Sequence, residues 1–158
     1  MVSIVEGTRS KILRTVSAPI GTITEEMKTF AARMEKVLAD TEHGIGLAAP
    51  QIGVNLRLFV ILPERIWTES DTWDPKALGR VFINPELKDL SRETRAENEG
   101  CLSLPELWVE FSRPRKVTIT ATDLQGKRFK LRAKGFLARV FQHEVDHLNG
   151  ILIADYRM

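Results

Sequence analysis

The pentapeptide His143-Glu144-Val145-Asp146-His147 constrains this 158-residue chain more than any other stretch. On a helix, the four-residue step puts both imidazoles on one face with Cβ atoms roughly 5–6 Å apart, close enough to grip one divalent ion. Glu144 lies about 100° further round, where it can reach a water on that ion without ligating it. The surroundings support a helix: Phe136 to Asn149 is periodic, and Gly150 follows as a C-terminal cap. Phe136, Val140, His143 and His147 fall on one stripe, and Leu137, Phe141 and Leu148 on a neighbouring one. The second stripe is expected to pack into the core, the first to line a pocket where a metal sits beside apolar groups. The bland alternative is a solvated pair of histidines, with Phe136 and Val140 as ordinary core.

Two histidines leave a tetrahedral hydrolytic site one protein ligand short, so the fold must bring a distant donor back to this helix. Only eleven residues follow His147, and Asp155 is their sole carboxylate. The remaining histidine, His43, lies far upstream beside a glycine-rich segment. Cys101 is the better donor, because a thiolate binds such metals well and Gly100 lets the backbone approach closely. A lone cysteine otherwise reads as a small buried hydrophobe. As the only cysteine it forms no internal disulfide, which fits a reducing compartment. A third segment, Gly44 to Gly53, superficially matches a dinucleotide-binding fingerprint, but it follows a long helix and is broken by Pro50. It reads instead as a flexed loop that lays backbone against a ligand and presents the Gln51 amide to a developing oxyanion.

The chain length fits one domain spanning residues 1–158, with enough apolar content to build a core unaided. Thr22 to Asp40 is an amphipathic helix, with apolar positions at Met27, Phe30, Ala31, Met34 and Leu38 behind a Thr22-x-x-Glu25 capping box. Leu56 to Leu62 and Val81 to Asn84 read as strands ended by Pro63 and Pro85. Between them, Pro63 to Gly79 is an excursion pinned in part by Trp67 and Trp73. Val117 to Thr122 alternates with threonines, then Asp123-Leu124-Gln125-Gly126 turns the chain into Lys127 to Arg132, giving a hairpin with one wet face. These elements predict an α+β fold with mostly antiparallel sheet. Lys and Arg number 23 against 21 Asp and Glu, far from the clustered basicity of a nucleic-acid surface, so no direct nucleic-acid site is expected. The first residues lack a secretory pattern, and no run approaches the ~20 apolar residues of a membrane span; a cytoplasmic enzyme is the expectation.

Taken together, Gly44 to Gln51, Glu99 to Ser103 and Gln142 to Gly150 resemble the three motifs of the peptide deformylase family, in that family's order and spacing. The resemblance spans nearly the whole chain. It implies an α+β fold around the metal helix, and removal of the N-formyl group from the formylmethionine of nascent chains, with release of formate. It implies Cys101, His143 and His147 as metal ligands, Glu144 as general acid and base, and Gln51 with the Leu102 backbone N–H as donors to the formyl oxygen. It further implies Fe²⁺, replaceable by Zn²⁺, Ni²⁺ or Co²⁺. On that basis the methionine side chain is expected against Ile45, Phe136 and Val140, with the backbone of Gly46 and Gly100 pairing the peptide as an added strand. The resemblance also implies a transient ribosome association; many bacterial members continue into a C-terminal extension that helps dock there, whereas this sequence stops at Asp155-Tyr156-Arg157-Met158, which puts that one route in doubt. The rival readings are a small zinc metalloprotease and a metal- or peptide-binding module without turnover.

Overall fold

The computed structural model describes residues 3–157. In chain order they form α1 (Glu25–Asp40), β1 (Gly46–Ala48), a 3-10 turn (Ala49–Ile52), β2 (Leu58–Ile61) and the single-turn α2 (Pro63–Ile66). β3 (Val81–Lys88), β4 (Thr94–Cys101), β5 (Leu104–Pro114), β6 (Lys116–Thr122) and β7 (Arg128–Lys134) follow, then α3 (Gly135–Leu148) and a 3-10 turn (Ile153–Tyr156). Five strands pair in the order β1-β2-β3-β6-β7, while β4 and β5 make a separate ribbon, and every pairing is antiparallel. The expected α+β architecture is therefore present.

Helix α3 lies between the sheet and the ribbon. Leu137, Phe141 and Leu148 enter the core built on the sheet, where Phe59 stacks on Phe82 with centroids 4.8 Å apart and Phe141 leans on both. The polar stripe faces the ribbon. Arg57 fixes the far end of α3 by donating to Leu148 O at 2.9 Å and Asn149 Oδ1 at 2.8 Å, which satisfies a carbonyl that the helix leaves open. Gly150 then turns the chain at φ 74, and a Cβ there would strike Arg14 O at 2.6 Å.

Local chemistry moved several boundaries. The N-cap of α1 is Thr24, whose Oγ1 accepts from Met27 N at 3.2 Å; the expected box at Thr22 does not form, because Thr24 is still extended and the helix starts at Glu25. Strand β3 does not stop at Asn84. Asn84 takes φ 49 and the register shifts between Ile83 and Glu86, so the bulge accommodates Pro85, which has no N–H to give to a ladder. The Asn84 amide holds this kink by bonding both the N–H and the C=O of Ile20, at 2.8 and 2.7 Å. The hairpin forms as expected, but its threonine face is not wet: Thr118 and Thr120 are buried under Arg132 and Arg128, which donate to their hydroxyls at 3.1 and 3.0 Å. In the 63–79 excursion, Ile66, Trp73 and Leu78 pack on the sheet core, whereas Trp67 stands at the surface.

Candidate metal centre

The end of β4 and the ribbon-facing stripe of α3 meet at Cys101, His143 and His147, whose potential ligand atoms all lie within 4.8 Å of one another. Cys101 Sγ is 3.2 Å from His147 Nε2, and His143 Nε2 is 3.2 Å from the same nitrogen. The sulfur is aimed there by a register shift between Glu99 and Cys101, which breaks the alternation of the strand. His143 Nδ1 lies 2.9 Å from Glu99 Oε1; a carboxylate only accepts, so Nδ1 carries the hydrogen and Nε2 keeps its lone pair for the centre. One sulfur and two imidazole nitrogens converging in this way suit Zn²⁺, Fe²⁺ or a similar divalent ion. The other ligand candidates are elsewhere: His43 is exposed at the cleft lip beside Glu42, and Asp155 is held by Arg14 at 2.6 Å.

Glu99 is the node of a buried charge network. It accepts from His143, from Arg113 Nε at 2.6 Å and Nη2 at 3.0 Å, and from Arg139. Arg113 also reaches Asp146 Oδ2 at 2.9 Å, where Tyr156 donates at 2.7 Å. Burial alone would raise the Glu99 pKa, but the bonds from His143 and Arg113 outweigh it and hold it at about 2. Burial likewise opposes a charge on His143, yet Cys101 and Glu99 raise its pKa well above the usual imidazole value. That nitrogen sits in a field that favours positive charge, a proton or a metal alike. His147, lowered first by burial and then by His143, stays neutral, as a ligand must.

Glu144 is buried beside the ligands, and its Oε2 has no hydrogen-bond partner. Burial raises its pKa to about 7, the charge of His143 working against the shift and that of Glu99 with it. Such a carboxyl exchanges a proton readily near neutrality. The neighbouring Gly46 explains itself here: a Cβ would sit 2.6 Å from Glu144 Oε1, so only glycine leaves room for the carboxylate. Gln51 is also buried. Its Oε1 accepts from Ala48 N at 2.9 Å, which turns Nε2 toward Ser103 Oγ at 3.1 Å and Cys101 Sγ at 3.8 Å. The amino-terminal segment ties the two loops together, Val5 N donating to Gln51 O and Gly7 N to Ser103 O.

A cleft of about 460 Å³ opens onto these groups. Ile45, Gly46, Gly100, Phe136 and Val140, the substrate-side residues expected from the sequence, all line it, as do Gln51, Leu102 and Glu144, the residues expected to act on the formyl group. Phe136 is 45% exposed at the mouth while Val140 is buried. Sequence reasoning missed Trp108, which is 69% exposed and lies flat on Gly100, where a Cβ would meet the indole at 2.9 Å. It also gave no role to Glu99, Arg113, Arg139, Asp146 or Tyr156. The available signal was Arg139, a cation standing between Phe136 and His143 on the helix face that also carries the ligands.

Residues 2–158 match the family model described as polypeptide deformylase. The chain is 45% identical over 147 residues to a peptide deformylase of Bradyrhizobium diazoefficiens, covering 92% of this chain and 82% of that protein. It is 41% identical over 143 residues to one of Treponema pallidum, covering 90% and 80%. Among solved structures, the peptide deformylase of Thermotoga maritima superposes with a TM-score of 0.86 at 34% identity, covering 100% of this chain and 98% of that one. A Synechococcus elongatus peptide deformylase in complex with actinonin gives 0.85 at 32% identity, covering 99% and 80%.

Proposed function

The chain belongs to the polypeptide deformylase family, and from that premise we infer that it is a metal-dependent hydrolase removing the formyl group from the formylmethionine of nascent polypeptides, with release of formate. The observation that carries the assignment to particular residues is the convergence of Cys101, His143 and His147 beside a buried, unpartnered Glu144 carboxylate. In this reading residues 1–158 act as one catalytic domain. The three converging donors hold the cation, which when bound acts as a Lewis acid and brings the pKa of water to about 7. Glu144 takes a proton from the attacking water and returns it to the leaving amine, a task suited to a carboxyl whose pKa is near neutral. Gln51 Nε2 and the Leu102 N–H donate to the formyl oxygen as it gains charge. Ile45, Phe136 and Val140 receive the methionine side chain, and the backbone at Gly46 and Gly100 pairs the peptide.

Fe²⁺ is the proposed native ion, with Zn²⁺, Ni²⁺ or Co²⁺ able to substitute, and metal analysis of anaerobically purified protein checks it. A cytoplasmic location goes with this substrate; no helix among the described residues is long and apolar enough to cross a membrane. The central experiment is Glu144→Gln. It should keep a full complement of metal while formate release falls at least about a hundredfold. Substantial residual turnover would remove Glu144 from its role. Cleavage of an internal amide without formate release, on a panel of formylated and unformylated peptides, would instead favour a small zinc metalloprotease.

A further inference from the structure

One side of the cleft mouth is made by the β4–β5 ribbon. Along β5, Leu107, Val109 and Phe111 turn onto the core around Leu13 and Leu152, so Trp108 and Glu110 stand on the opposite, exposed side. Glu106 is exposed as well: it takes φ 71, and this irregularity lets both Leu104 and Leu107 turn inward. The indole therefore lies between two carboxylates on the outer side of one strand. Among the described residues neither carboxylate is in an ion pair, and the ribbon's own arginines are taken elsewhere, Arg95 by Glu97 and Arg113 by Glu99 and Asp146.

A singly exposed aromatic needs no explanation by itself. Trp108, however, has a seat: it rests on Gly100, where any Cβ would meet the ring at 2.9 Å, and it is still 69% exposed. Trp108, Glu106, Gly100 and Asn98 all line the cleft that holds the metal centre, and Glu110 pairs with Asn98 across the ribbon. A cation is attracted by the face of an indole and by a carboxylate alike, so ring and flanking acids select the same sign of charge. The pleat decides which residue of a substrate arrives there. Glu99 points to α3, where it meets Arg139 and His143, so Gly100, next along β4, presents its other side, the side that Trp108 covers. A peptide that adds to β4 at Gly100 and sends its methionine to Phe136 and Val140 on α3 turns its second side chain the opposite way, toward the indole.

We propose that Trp108, with Glu106 and Glu110, selects formylmethionyl peptides whose second residue is lysine or arginine. This selection rests on the deformylase reading of the site and extends it to the residue after methionine. The test compares formate release by the full-length, metal-loaded protein from formyl-Met-Lys-Ala, formyl-Met-Nle-Ala and formyl-Met-Glu-Ala, norleucine matching most of the lysine stem without its charge. kcat/KM should be about fivefold higher for lysine than for norleucine and lowest for glutamate, with the difference in KM because the ring touches no reacting atom. Added salt should compress the gap. Trp108→Ala and Glu106→Gln/Glu110→Gln should each lower the lysine-to-norleucine ratio at least about twofold, and Trp108→Phe should keep part of it. Circular dichroism and metal content confirm that each variant is intact. Equal kcat/KM for lysine and norleucine, a ratio unmoved by Trp108→Ala, or a preference that appears only when lysine is placed third would overturn the proposal and leave the hydrolase reading standing. No formate release from any of the three peptides would sink both together.

Discussion

Two regions of this molecule use the same side chains to opposite ends. Around Glu99, two buried arginines and a part-buried histidine and carboxylate are bonded to one another; on the exposed face of β7, Arg128 and Arg132 lean on threonine hydroxyls and backbone oxygens, while Lys130 and Lys134 stand in water without an ion pair among the described residues. Inside, a charge without a partner costs several kcal/mol, so every member is matched and the geometry is rigid. Outside, water screens each charge, so an unmatched lysine is tolerated. The inner network spends its charges on aiming His143. The outer one leaves its charges unspent.

Removing the node of the inner network should have the largest effect. Glu99→Gln leaves Arg113 and Arg139 without their shared anion and His143 without its orienting acceptor. A loss of about 3–5 kcal/mol in denaturant unfolding and 10–100-fold weaker metal binding by competition titration are expected. A variant with wild-type metal affinity would separate the network from the centre. Arg139→Met is milder, because Arg113 still holds Glu99; about 1–3 kcal/mol should be lost, and a smaller cost than for Glu99→Gln is the point of the comparison. Gly46→Ala tests the same rigidity through volume: the new methyl displaces Glu144, so kcat for formate release should drop about tenfold or more with metal content retained.

On the exposed face of β7, Lys130→Gln should shift stability by no more than about 0.5 kcal/mol, and a larger loss would mean that the row is structural. The exposed pair of Arg14 and Asp155 marks the lower limit. Hydrogen bonds from Arg14 hold the Asp155 carboxyl below the usual range, so the pair stabilises above the ordinary carboxylate pKa and fades as pH falls through the lowered one. Arg14→Ala should therefore cost about 0.5 kcal/mol near neutrality, and the difference should vanish in strong acid.

The sequence by itself put His143, Glu144 and His147 on one stretch of helix, because a four-residue step and a carboxylate between two histidines are local facts; only the fold brought Cys101, 42 residues upstream of His143, within reach of them. The sequence also determined α3, the β6–β7 hairpin and the antiparallel α+β character, since period, caps and turn residues act over a few positions. Boundaries that depended on tertiary bonds were not legible: Thr24 caps α1, Asn84 clamps Ile20, and arginines roof Thr118 and Thr120. Nor were the purposes of Gly46, Gly100, Arg113 and Arg139, each of which answers to a group far away along the chain. Net charge is a sum over the whole chain, and only folding decides where its terms lie. It placed balanced pairs around Glu99, where low dielectric demands them, and left the surplus cations on one face of the sheet, where water does not.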